Sequence, residues 1–114
     1  MTHMNAQEVS KLVQDQIGDD WGTTNYHGVN LRRSLVTPER ISIIERSIRN
    51  GKVQDRLVDA WLVLVEKPDA ESGYRIVLND AGTMFGLASE GFPNDEHFVL
   101  CGWYGDFMST FQRM

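Results

Sequence analysis

Cysteine is almost absent from this chain, since Cys101 is the single one among 114 residues. One thiol cannot form an internal disulfide, and disulfide-free proteins are typical of reducing compartments, so we expect a cytoplasmic location. The three histidines lack the spacing of metal ligands along a helix or hairpin. The sequence therefore predicts neither a metal nor another cofactor.

Long hydrophobic runs and catalytic motifs are also missing. The longest unbroken apolar run, residues 60–65, is far shorter than the roughly 20 residues of a membrane span. The N-terminal residues show no cationic segment followed by an apolar stretch, so we expect no signal peptide. We also do not expect this protein to bind a membrane. The glycine-containing string at residues 82–86 lacks the Lys-Ser/Thr of a phosphate-binding loop.

Positive charge is scarce and concentrated in one segment. The net charge is −5, yet residues 32–56 carry seven basic and three acidic side chains, whereas residues 57–114 carry three basic and nine acidic ones. An acidic surface repels phosphate backbones, so nucleic acid is not an expected partner. We interpret the basic segment as a solvated hairpin face that balances acidic neighbours, and the acidic half as suited to a basic protein partner.

The first regular element is an amphipathic helix. Asn5 can cap it, and Glu8 is placed three residues later to complete a capping box. Apolar residues follow at the spacing of one helix face: Val9, Leu12, Val13 and Ile17. The irregular segment 21–30 contains Trp21 and Tyr26, which either pack on the sheet or form a recognition surface.

The next segments predict strands. Residues 31–36 read as a strand, and 39–48 as either a helix or a strand. The β-branched isoleucines of 39–48 and the turn signal Asn50-Gly51 favour a hairpin with residues 57–66. Both alternating faces of 57–66 are apolar, so this strand is predicted to be central, with one face covered by helices. The second face needs the 21–30 loop or a second copy, which makes a homodimer an open alternative.

Three further strands are predicted at 74–78, 83–88 and 98–103, with Gly86 leaving room for a bulky ring, followed by a C-terminal helix that starts at Gly105-Asp106. The whole chain, 1–114, is therefore predicted to be one α+β domain: an antiparallel β-meander of about five strands, with an N-terminal and a C-terminal helix packed on it.

Few residues are candidates for chemistry. Cys101 could pair with His27 or His97 as a nucleophile, but it lies in an apolar run, where cysteine is commonly a small core residue. Trp103 and Tyr104, flanked by glycines, either present a surface or join the core with Phe107 and Phe111. The sequence favours a protein without enzymatic activity.

Three strings, LVTPERI, DAWLVLVEKPDAESGYRIVLNDAGTMFGLA and GWYGDFMSTFQRM, resemble a family of short uncharacterised bacterial proteins. These share a pattern of the type W-LVLEE-P, GY-IVF, FGLA and GFYG-FL. The resemblance covers residues 31–114 and implies no catalytic residue. Such small acidic proteins resemble immunity proteins, which bind and neutralise a toxin; this link is an analogy.

Together these observations predict a non-enzymatic protein-binding module, an immunity-type inhibitor of a basic toxin domain. The expected contact residues combine carboxylates with aromatic anchors: Trp21, Tyr26, Asp69, Glu71, Asp80, Glu90, Asp95, Glu96, Trp103 and Tyr104. The alternative is a small homodimeric ligand-binding domain or enzyme, with a pocket near His27, Cys101 and Tyr104.

Overall fold

The computed structural model describes residues 4–70 and 72–114, and these form three helices and five strands. The helices are α1 (Ala6–Ile17), α2 (Leu31–Ser34) and α3 (Phe107–Gln112). The strands are β1 (Leu35–Arg49), β2 (Lys52–Lys67), β3 (Ser72–Asn79), β4 (Phe85–Ser89) and β5 (Val99–Gly105). The predicted α+β class is confirmed. None of the helices among the described residues is long and apolar enough to cross a membrane.

Helix α1 begins and ends as its sequence predicts. The Asn5 side chain accepts a hydrogen bond from the Glu8 N–H at 2.9 Å, and the Glu8 carboxylate accepts one from the Asn5 N–H at 3.1 Å. This reciprocal pair satisfies two N–H groups that have no partner within the helix. Val9, Val13 and Ile17 are buried on one face, so the capping and the apolar stripe together fix the helix on the sheet.

The sheet closes into a barrel in the order β1-β2-β3-β4-β5. Sequential strands pair antiparallel, but β1 and β5 meet in parallel at Ile44 and Val99, where the Ile44 N–H donates to the Phe98 carbonyl at 2.8 Å. The predicted open antiparallel meander is therefore wrong in its closure, because the sheet is closed and mixed. The contact that closes it joins residues far apart in sequence, and periodicity carries no signal for such a contact.

Two apolar clusters lie on the two faces of this sheet. One cluster includes α1 and α3 with Trp61, Val63 and Phe85. Because a helix about 10 Å wide does not fit inside a five-stranded barrel, this cluster is on the outer face. The inner cluster is built on Ile43, Ala60, Val77 and Ala88. The barrel thus covers the second apolar face of β2 itself, and that face does not require a second copy.

The segment before β1 differs from its prediction. Residues 31–34 form the short helix α2, and the strand begins only at Leu35. The Asn30 side chain accepts hydrogen bonds from the N–H groups of Arg32 and Arg33, and this cap stabilises a helical turn in place of the predicted strand. The predicted strand is therefore wrong for residues 31–34, where the Asn30 cap starts a helical turn, and correct for Leu35 and Val36.

The hairpin predicted around Asn50-Gly51 is confirmed, so residues 39–48 are strand and not helix. Asn50 and Gly51 have φ of 52° and 74°, the left-handed values that a tight hairpin turn requires. β3 pairs with β2 only from Ala60 onward, and β5 meets β1 only at Ile44. Residues 45–57 consequently extend beyond the barrel as a two-stranded ribbon, which we call the arm.

The C-terminal helix closes one side of the barrel. Asp106 caps α3 by accepting from the Ser109 N–H. Hydrogen bonding from the Ser109 side chain, and to a lesser extent from its N–H, lowers the pKa of Asp106. The Phe107 ring meets Phe85 edge-on at 5.4 Å and is fully buried. The predicted role of Gly86 is also confirmed, because a Cβ placed there would lie 2.7 Å from Cε3 of Trp103.

Candidate functional site

The most prominent surface feature is the connection between β4 and β5, residues 90–98, which we call the binding loop. Its tip carries Phe92, whose side chain is 70% exposed. The Phe92 N–H donates to Oδ2 of Asp95 at 2.7 Å, a bond that folds the tip into a tight turn. A large exposed aromatic in a loop with its own internal hydrogen bond is a candidate anchor for a partner surface.

Arg46 of β1 immobilises the tip of the binding loop. Its guanidinium donates to both carboxylate oxygens of Asp95, at 3.2 and 2.9 Å, and to both of Asp55 across the hairpin, at 2.8 and 2.9 Å. The same guanidinium lies 5.7 Å from the centre of the Phe92 ring. One arginine therefore connects the arm, the turn and the exposed aromatic ring.

The electrostatics of this cluster follow from its hydrogen bonds. The Arg46 guanidinium lowers the pKa of Asp55 and of Asp95, and the Phe92 N–H lowers the pKa of Asp95 further. The two carboxylates in turn raise the pKa of Arg46. All three groups thus remain charged at neutral pH, and the pairing is kept in the charged form that holds the loop.

Arg75 of β3 holds the two ends of the binding loop. Its side chain is 4% exposed, and its guanidinium lies 4.1 Å from the centre of the Phe98 ring. It also donates to the Gly73 carbonyl at 2.7 Å and approaches the Glu90 carboxylate to 3.9 Å. Arg46 of the arm therefore holds the tip of the loop, and Arg75 of the barrel holds its two ends.

An open cleft of about 700 Å³ lies between the binding loop and β1. Its wall combines apolar side chains with two carboxylates at the rim; the residues include Ile41, Phe92, Pro93, Phe98, Glu90 and Glu96. Glu90 and Glu96 are both exposed. This arrangement suits an apolar group that is flanked by positive charge.

The arm is the second prominent surface. Ile48, Val53 and Leu57 are 73%, 63% and 58% exposed. Ile48 pairs directly with Val53, and Arg46 with Asp55, so these four side chains form consecutive rungs on one face of the ribbon. Three arginines of this hairpin are matched by acidic neighbours, as predicted, while Arg49 at its tip is not matched within the described part of the chain: Arg40 pairs with Asp59 and Asp80, Arg46 with Asp55 and Asp95, and Arg56 with Glu45.

The carboxylates predicted as contact residues separate into different places. Asp69 pairs with Arg33 beside a cleft that His27 also lines, and Asp80 pairs with Arg40 at 2.8 Å beside a cleft that Trp103 lines. Glu90, Asp95 and Glu96 meet in the binding-loop cleft. Glu71 lies outside the described residues. The structure therefore brings three of the predicted acids together and places Asp69 and Asp80 in ion pairs elsewhere.

The predicted aromatic anchors differ in exposure. Tyr26 is 94% exposed, whereas Trp21, Trp103 and Tyr104 are half-buried. Trp103 packs with the inner cluster, and Trp21 and Tyr104 pack against the outer one. Of the predicted four, Tyr26 alone is thus fully presented to solvent.

The residues of the alternative pocket contact separate partners. His27 Nδ1 lies 3.0 Å from Glu66 Oε2, and its ring stacks on Tyr74. The Cys101 thiol lies 3.5 Å from the Ser89 hydroxyl, and Tyr104 lies beneath Arg113. No cysteine–histidine pair forms among these contacts. Within residues 4–70 and 72–114, moreover, no three His, Cys, Asp or Glu side chains gather as a metal site.

Comparisons with protein-family models, with curated proteins and with solved structures gave no match. The resemblance to short bacterial proteins therefore stays a prediction, and the function has to be argued from the surfaces described above.

Sequence reasoning missed the central residues of this site. Phe92, Arg46 and Arg75 belong to it, but the binding loop read only as a turn-rich acidic segment. One signal was present: Phe92 is an aromatic residue next to Pro93 in an otherwise polar loop, where burial by local packing is not expected. The contacts of Arg46 and Arg75 depend on the barrel and had no local signal.

Proposed function

We propose that this protein is a non-enzymatic protein-binding module that acts as an immunity-type inhibitor of a toxin, with the binding loop as its contact surface. One observation carries this proposal: Phe92 is 70% exposed, yet its loop is held by Arg46 of the arm and Arg75 of the barrel. An exposed aromatic on a fixed loop can bind a partner with little loss of conformational entropy.

The charge of the loop supports a basic partner. Glu90 and Glu96 flank Phe92 and are exposed, while Asp95 is neutralised by Arg46. A partner with an apolar pocket and a basic rim would bury Phe92 and meet the exposed carboxylates of Glu96 and Glu90, the second of which also approaches Arg75 to 3.9 Å. Such charge complementarity mainly accelerates association, and salt weakens the effect. Asp69 and Asp80 can contribute to this long-range attraction, although their ion pairs reduce their share.

The first test separates the binding loop from the 21–30 loop. Tagged wild-type protein, Phe92→Ala and the matched control Tyr26→Ala are used to capture proteins from the source cells at low and moderate salt. The control removes an aromatic side chain of even greater exposure from a different loop. We expect one basic, salt-sensitive partner that wild type and Tyr26→Ala retain and Phe92→Ala loses.

Loss of the partner with Tyr26→Ala, and not with Phe92→Ala, would move the site to the 21–30 loop and refute the binding loop as the contact surface. Failure of all three proteins to retain any partner would refute the protein-binding function.

The second test addresses inhibition. The captured partner is expressed alone and with each variant, and cell growth is followed. Wild type should relieve growth arrest, while Phe92→Ala should not. A partner that causes no growth arrest would show a binding module without the proposed inhibitory role.

A further inference from the structure

The tip of the arm is an apolar surface without a partner in the molecule's own fold. Ile48 and Val53 form one cross-strand pair that extends beyond the barrel, with Leu57 on the same face. Single exposed apolar residues are ordinary on protein surfaces. On this face the exposed pair Ile48 and Val53 is separated from Leu57 by the Arg46–Asp55 ion pair, so the apolar surface of the tip is the Ile48–Val53 pair on a projecting ribbon, which points to a contact with another surface.

Within residues 4–70 and 72–114, the two basic side chains at the tip form no ion pair with a carboxylate. Arg49 and Lys52 stand directly opposite each other, and both are exposed. Like charges opposed across two strands are destabilising, so this pair lowers the stability of the isolated arm. A carboxylate-rich surface over the tip would remove that repulsion. The arm tip therefore combines apolar groups with an unbalanced positive charge.

The same chain offers a surface of the opposite kind. The binding-loop cleft has an apolar wall, with Ile41 and Phe92 among its residues, and it has Glu90 and Glu96 at its rim. It lies at the base of the arm, because Ile41 is in the same strand as Ile48. At about 3.4 Å per residue, Ile48 lies roughly 24 Å along β1 from the Ile41 end of the cleft, whereas the Phe92 and Asp95 end of the cleft lies against Arg46 at the base of the arm. One molecule cannot fold its arm back onto its own cleft through an unbroken strand.

We propose that the arm tip of one copy enters the binding-loop cleft of a second copy, and that the exchange is reciprocal. Two arms lying antiparallel about a two-fold axis place each basic tip at the other's acidic cleft, which is the self-complementarity that a two-fold interface requires. This inference rests on the proposed function, because it treats the arm tip as a basic, apolar ligand carried by the chain itself. The dimer would cover the loop and compete with the partner for it.

Charge-swap variants test the contact. Sedimentation velocity from low micromolar to submillimolar concentration should show reversible dimers that weaken as salt increases. Lys52→Glu should raise the dissociation constant of the dimer about tenfold, and adding Glu96→Lys to it should restore most of that loss. Lys67→Glu, an exposed lysine in the same strand but outside the arm, is the matched control and should change nothing.

The apolar part of the contact is tested by Ile48→Thr with Val53→Thr, which keeps β-branched side chains in the strands and removes apolar surface. Purely monomeric wild-type protein, or dimers insensitive to both Lys52→Glu and the threonine pair, would overturn the inference. Neither result touches the capture of a partner through Phe92, so the proposed function would stand. Conversely, if the dimers respond to the variants as expected but no partner is captured, the reciprocal dimer would be supported and the proposed protein-binding function would be refuted.

Competition links the two proposals. Adding the captured partner to dimeric protein should dissociate the dimer, with a midpoint that shifts with protein concentration. A partner that binds without dissociating the dimer would show that the arm does not occupy the binding loop, and would overturn the inference.

Discussion

Replacing Gly86 with alanine tests how tightly the barrel interior is packed. A Cβ at this position would lie 2.5 Å from the Gly102 carbonyl oxygen, 2.7 Å from Cε3 of Trp103 and 3.2 Å from Cζ3. An ordinary contact of about 3.4 Å would require the carbonyl to move by about 0.9 Å and the ring by about 0.7 Å. The carbonyl belongs to the neighbouring strand β5, so that strand must shift.

The magnitude follows from two opposing terms. Overpacking of this kind costs about 1–3 kcal/mol, and loss of glycine flexibility in the unfolded chain returns about 0.5–1 kcal/mol. We expect Gly86→Ala to lower the free energy of unfolding by about 1–2 kcal/mol. With an unfolding entropy of about 2.1 cal/mol/K per residue, the melting temperature should fall by about 4–8 °C.

Calorimetry or circular dichroism measures this fall, and the near-ultraviolet spectrum reports the displacement of Trp103. Gly22→Ala is the matched control, since nothing lies within 4 Å of a Cβ there. We expect its melting temperature to stay within about 2 °C of wild type. A Gly86→Ala protein as stable as wild type, or a control that loses as much, would refute the close approach of β4 to Trp103.

Three further predictions concern polar contacts. The folded-state pKa of Asp95 lies below its ordinary 3.8, so the stability that this carboxylate contributes is present above that pH and disappears as pH falls through the lowered value. Urea titrations should therefore show that the difference in free energy of unfolding between wild type and Asp95→Asn shrinks in acid. A difference that stays constant with pH would contradict the pairing with Arg46. Asn25 is buried and its side-chain amide donates to the Phe111 carbonyl at 3.0 Å, so Asn25→Ala should lower the free energy of unfolding by about 3 kcal/mol in the same assay. Asn94→Ala, at an exposed position, is the control and should lower it little. Equal losses for the two variants would count against a structural role for Asn25. Asn5→Ala should cost about 1 kcal/mol and reduce the helical circular dichroism signal, and an unchanged signal would contradict the capping box.

Local patterns were sufficient to predict most individual elements of this fold. Three features could be predicted because each depends on residues close in sequence or on the chemistry of one residue: the Asn5 cap, the Asn50-Gly51 turn and the space beside Gly86. The β-branched isoleucines of β1 decided between helix and strand for the same reason.

Long-range features could not be predicted in this way. Barrel closure depends on one parallel contact between Ile44 and Val99, which no periodicity encodes. Both apolar faces of β2 were correctly predicted to be covered, but the pattern does not distinguish cover by a second copy from cover by a sheet that closes into a barrel. The binding loop was recognised as acidic, yet its rigidity comes from Arg46 and Arg75, which only the closed barrel brings to it.

The attachment of the binding loop has a consequence for how such a surface can evolve. Glu90 and Phe98 connect it to the barrel and Asp95 connects it to the arm, while Phe92, Asn94 and Glu96 at the tip are exposed. If the proposed function holds, substitutions at the tip would alter partner choice while the anchoring positions preserve the conformation. The anchoring residues would then stay constant while the exposed tip residues vary, so that a new binding specificity can arise without a change of fold.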